Sequence, residues 1–71
     1  MDIVKLRRMA NQIAANLAAR GEAEAVAETA LHIWKFWDPR MKASIYADDP
    51  AELDPIARAA IEKLKSDAKA A

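Results

Sequence analysis

The chain has 71 residues, room for one domain and no second. Eleven basic and 11 acidic residues give a formal net charge of zero. That balance disfavours nucleic acid, because a phosphate-backbone binder wants Lys and Arg in excess on one face. Cysteine is absent, so there is no disulfide staple and no thiolate metal site. Eighteen residues are alanine, which favours helix but adds little burial. A small scaffold without staple or metal leans on association with another chain or on unusually good helix packing. The start MDIVKLRR lacks the apolar stretch of a signal peptide, and apolar runs never exceed three residues. The expectation is a cytoplasmic protein that does not enter a membrane.

The expected fold is a small all-α domain: an N-terminal helical hairpin, then short helices started by Asp-Pro. A first helix is expected over about 3–19, with Asp2 as N-cap and Gly21 as a left-handed C-terminal cap. Ile3, Leu6, Ala10, Ile13 and Leu17 form one apolar seam at 3-4-3-4 spacing. A second line on the opposite side holds Val4, Arg8, Asn11, Ala15 and Ala18. Its small residues would let another helix approach, with Arg8 and Asn11 free to hydrogen bond; a solvated face explains it equally simply.

A second helix is expected over about 22–37, with Glu22 and Glu24 in the first turn, where negative charge suits the helix dipole. Val26, Ala30, Ile33 and Trp37 form its core seam, Ala27, Leu31 and Trp34 one flank, and Phe36 the other. This apolar arc is wider than a surface helix needs. Asp38-Pro39, Asp49-Pro50 and Asp54-Pro55 each pair an N-cap acceptor with proline in the first helical position. They predict a short helix over about 39–47, a turn at 49–53 with capping-box spacing between Asp49 and Glu52, and a last helix over about 55–66. The tail SDAKAA should fray.

No catalytic constellation emerges. His32 is the one histidine, no metal-ligand spacing surrounds it, and one glycine cannot make a phosphate loop. Asp48 and Asp49 read as caps, and Ser44, Ser66 and Thr29 lack the surroundings of an activated nucleophile. The strongest unexplained stretch is HIWKFWDPRMK at 32–42, which holds three of the four aromatics. Each buries roughly 150–250 Å² at about 25 cal/mol per Å², on the order of 10 kcal/mol gross for the three. That rivals the net stability of a small domain. Either the cluster is a cramped core or part of it meets another protein.

RMANQIA at 8–14 and HIWKFWDPRM at 32–41, followed by Leu53, Asp54, Pro55, Arg58 and Ala60, resemble the delta subunits of cytoplasmic NAD-dependent, molybdenum-containing formate dehydrogenases. The resemblance implies a non-catalytic accessory subunit that supports assembly or stability of the catalytic alpha subunit, with molybdenum cofactor insertion as a possible stage. Beta and gamma subunits belong to the same complex. The resemblance also implies that bis-molybdopterin guanine dinucleotide, iron–sulfur clusters, FMN and NAD are held by the other subunits and none by this chain. On this sequence the partner-facing residues are expected to be Arg8, Met9, Asn11, Gln12, Trp34, Phe36, Trp37, Pro39, Arg40 and Met41. Arg40, in a first helical turn where the dipole disfavours a cation, would meet a partner carboxylate or carbonyl, or else lie over Trp37. The alternative reading is a freestanding helical homodimer with the aromatics between its copies. A helix-turn-helix DNA-binding module is a distant third.

Overall fold

The computed structural model describes residues 2–70, with side-chain surroundings through residue 67. Asp2 starts α1 (Ile3–Leu17) by accepting the Val4 N–H at 3.0 Å. The helix then tightens into a single 3-10 turn, Ala18–Arg20, ending two residues short of the expected 19. Gly21 follows at φ +99°, ψ 150°. This is not the left-handed helical cap expected, but an extended region at positive φ that essentially only glycine adopts. It turns the chain directly into α2 (Glu22–Phe36), whose first bond runs from the Ala25 N–H to the Gly21 carbonyl at 2.8 Å.

Helix α2 ends where Trp37 takes an extended backbone. Asp38 then accepts the Met41 N–H at 2.9 Å and opens α3 (Pro39–Ala47), with Pro39 where a missing donor costs nothing. Asp49 accepts from the Ala51 N–H at 2.9 Å and starts one 3-10 turn, Pro50–Glu52. Helix α4 (Pro55–Ala70) runs past the expected end at 66. Ala and Lys are good helix formers, nothing after Pro55 breaks the helix, and Lys63 reaches Asp67 one turn on at 4.0 Å. Of the tail expected to fray, Ala71 lies outside the described residues.

The helices close on one core, α2 packing mainly against α4 and α1. Small residues make the close approaches: Ala10 and Ala14 of α1, Ala30 of α2, Ala57 and Ala60 of α4, all buried. Leu6, Ile33, Trp37, Ile45 and Ile61 fill the space between. The radius of gyration is 10.9 Å, against about 11 Å for a compact chain of this length. The accessible surface of 4556 Å² matches the roughly 4,400 Å² of a closed monomer of this mass. The alanines thus achieve by proximity what larger side chains would achieve by bulk.

Polar links hold the irregular segment between α3 and α4. Arg7 grips Asp48 with two parallel bonds, Nε to Oδ2 at 2.6 Å and Nη2 to Oδ1 at 2.7 Å. Asn11 Oδ1 accepts the Asp54 N–H at 2.9 Å. Arg58 donates to the Pro50 and Leu53 carbonyls at 3.2 and 3.3 Å. Asp48 is therefore more than a cap: it joins α1 to the end of α3.

The Arg7 bonds hold the Asp48 carboxyl below its ordinary value. A depressed folded value means the stabilisation is complete above the ordinary carboxylate range and disappears as pH falls through the folded value. Asp48→Asn is expected to lower the urea midpoint at pH 7, and the gap from the wild type to close in acid; a gap of equal size at both pH values would refute the assignment. Thr29 is fully buried, and its hydroxyl finds no partner among the described residues. Thr29→Val, nearly isosteric, should raise stability by about 1 kcal/mol in the same urea titration.

Candidate functional site

Residues 33 and 37 lie one helical turn apart and point inward, Ile33 at 0% and Trp37 at 4% exposure. At about 100° per residue, Trp34 then falls about 60° to one side of Trp37 and Phe36 about 100° to the other. Both face solvent, at 57% and 72% exposure, and Leu31 joins them at 50%. The last two turns of α2 thus carry exposed apolar side chains on both flanks of the buried seam, with exposed His32 and Lys35 between them. No acidic residue occurs between Glu28 and Asp38.

The exposed rings are held in place. Lys42 Nζ lies 4.2 Å from the centre of the Trp34 ring and donates to the Trp34 carbonyl at 3.3 Å. That carbonyl is in the last turn of α2, where helix acceptors lack internal partners. His32 and Phe36, four residues apart, stack tilted at 45° with centres 4.8 Å apart. Trp34 also borders a groove of about 470 Å³ between α2 and α4. Ala27, Ala30, Leu31 and Leu64 line it, with Lys63 and Asp67 on the α4 side.

The other expected partner-facing residues divide. Trp37 is core, and Met9 and Met41 are half-buried against that core. Asn11 is occupied by Asp54, while Gln12 donates to Asn16 Oδ1 at 3.1 Å on the surface of α1. Arg8, Pro39 and Arg40 are exposed. Arg40 does not lie over Trp37, which is buried; the cation over an aromatic ring is Lys42 on Trp34. Arg8, Asn11 and Gln12 line a shallow hollow with Val4, Ala15 and Asp54 that shares no residue with the groove beside Trp34. The two motif stretches therefore do not converge on one concavity. Sequence reading passes over Lys42, whose contact with Trp34 crosses the Asp38-Pro39 break and obeys no helical spacing.

There is no thiolate for iron and sulfur, and no three His or carboxylate side chains converge among the described residues. No described helix is long and apolar enough to cross a membrane.

Residues 5–61 match the family described as the NADH-dependent formate dehydrogenase delta subunit FdsD. The chain belongs to this family. No curated protein and no solved structure matches it. For this delta-subunit family member, the matched span runs from the first turn of α1 into α4 and takes in both motif stretches and the whole aromatic helix end. Membership makes the chain a subunit of an oxidoreductase complex.

The two tryptophans should behave oppositely. Trp37→Ala empties a filled core site and is expected to cost about 3–5 kcal/mol. Trp34→Ala should change the stability of the isolated chain by no more than about 1 kcal/mol, the value of an exposed cation–π contact. Equal losses in a urea titration would refute this division into core and surface.

Proposed function

We propose that this delta subunit is a non-catalytic accessory subunit that docks, through the outer face of the α2 end, on a larger subunit of its formate dehydrogenase. The catalytic alpha subunit is the partner in this reading, within a cytoplasmic complex that also contains beta and gamma subunits. Molybdenum, iron–sulfur, flavin and nicotinamide chemistry stays on those chains. The delta subunit supports assembly or stability of the catalytic subunit, with molybdenum cofactor insertion as the stage at which it acts.

One observation carries this reading. Leu31, Trp34 and Phe36 stand exposed around one helix end of a domain whose core is already closed without them. Grouped apolar exposure of this kind marks interaction surfaces, and Trp is prominent among the residues that dominate binding energy. The Lys42 contact removes part of the ordering cost in advance, because the ring is already fixed.

The test is coexpression of the tagged chain with the other subunits, as wild type and as Trp34→Ala/Phe36→Ala. The double variant should recover at least about tenfold less catalytic subunit, since buried hot-spot aromatics each contribute about 2 kcal/mol or more. Activity per molybdenum in whatever complex forms should be unchanged. Equal recovery would sink the reading, as would a wild-type chain that purifies with copies of itself alone.

A further inference from the structure

We propose that the groove between α2 and α4 receives a short amphipathic helix of a larger formate dehydrogenase subunit, and that this helix carries an Asp or Glu that pairs with Lys42 once Trp34 is covered. The inference rests on the docking role proposed above and specifies the chemistry of the partner.

The shape of the groove selects a helix. Ala27, Leu31 and Trp34 recur at 4-3 spacing along about 10 Å of α2, two turns, and Leu64 stands on the α4 side. Alanines between larger neighbours leave a slot for the side-chain ridge of a third helix. Two turns of wall accommodate anchors at i, i+3 or i+4, and i+7, the spacing by which an amphipathic helix fills a hydrophobic groove.

Charge selects the anion. Lys63, on the α4 wall, already has Asp67 at 4.0 Å. Lys42 is half-buried and has no carboxylate within ion-pair reach among the described residues; it rests on the ring and carbonyl of Trp34. The nearest acidic residue in sequence, Asp38, already accepts the Met41 N–H. A partner that covers Trp34 strips water from the Lys42 ammonium, and a desolvated charge without a counter-ion is costly. The carboxylate that lines the groove, Asp67, already lies beside Lys63, and Lys42 stands outside that lining in contact with Trp34, so its counter-ion comes from the partner. Duplex DNA and anionic lipid would also bring anions, but neither supplies a helical ridge for the groove. Lys42 is thus a positioning residue for the Trp34 ring before docking and a charge partner after it.

The experiment compares wild type, Lys42→Met, Lys42→Glu and Lys42→Arg as full-length tagged chains coexpressed with the other subunits. Recovered complex is measured at 0.1 M and 1 M salt, between which the screening length falls from about 10 Å to about 3 Å. Thermal unfolding of each variant confirms that it folds. Wild-type recovery should drop severalfold at high salt. Lys42→Arg should track the wild type, and Lys42→Met should be weaker and lose the salt dependence. Lys42→Glu should fall at least about tenfold at low salt and regain part of that at high salt. Should Lys42→Glu fail to fold, the salt response of the wild type against Lys42→Met decides. Wild-type recovery that ignores salt, with Lys42→Met equal to it, would overturn the carboxylate pairing and leave apolar docking standing. Failure of the wild type to recover any subunit would instead remove the docking role itself. Retention of the wild type on phosphatidylglycerol vesicles or duplex DNA in place of the subunits would also overturn the proposal.

Discussion

The burial of Trp37 at the end of α2 is the constraint on which the rest of the arrangement depends. Its N–H still bonds to the Ile33 carbonyl at 3.1 Å, but its own backbone has already turned extended. The side chain therefore stays on the seam of Ile33 while the chain leaves the helix. That allows Asp38-Pro39 to start α3 at once, with Met41 and Ile45 packing against the core that Trp37 belongs to. In a core so rich in alanine, one indole supplies bulk that several Ala positions cannot. Burying Trp37 also fixes where its neighbours go: a helix that points residue 37 inward carries 34 and 36 out along its two flanks. The exposed aromatics are a geometric consequence of the buried one.

Much of this was legible because the signals are local. Asp2, Asp38 and Asp49 mark element starts by capping chemistry, Pro55 marks the start of α4, and Gly21 marks a turn that a Cβ would strain. The seam of Leu6 and Ala10, and that of Ala30, Ile33 and Trp37, follow helical spacing and are buried. Two kinds of feature escaped. The first joins distant segments: Arg7 to Asp48 and Asn11 to Asp54 cross more than 40 residues, a separation that periodicity does not address. The second crosses a break, as Lys42 does in reaching back over Asp38-Pro39 to Trp34. The end of α4 was misjudged for another reason. A tail without large apolar groups reads as frayed, yet Ala and Lys sustain a helix by propensity alone.

The same contacts sort the motif residues that suggested the family. Ala10, Ile33, Trp37, Leu53 and Ala60 are buried, Asn11 and Arg58 hold the segment between α3 and α4, and Pro39 starts a helix. The fold accounts for these without any partner. Arg8, Gln12, His32, Trp34, Lys35, Phe36 and Arg40 remain, all exposed, and none of them needed to close the core. A motif match therefore mixes positions that specify the domain with positions that the domain does not need. The docking proposed above draws on the second group.

Keeping Leu31, Trp34 and Phe36 outside the core has an energetic consequence for so small a domain. Their burial is unavailable to folding, so the isolated chain depends on close alanine packing and on the links around Arg7, Asn11 and Arg58. A partner that binds only the native state adds stability by mass action, about 2.7 kcal/mol when it is present at one hundred times its dissociation constant. An ordinary interface takes about 800 Å² from each side, roughly a sixth of the 4556 Å² this chain exposes. Docking on that scale would cover the groove beside Trp34 together with neighbouring surface. The aromatic residues withheld from the core would then stabilise the domain after all, by way of the subunit that covers them.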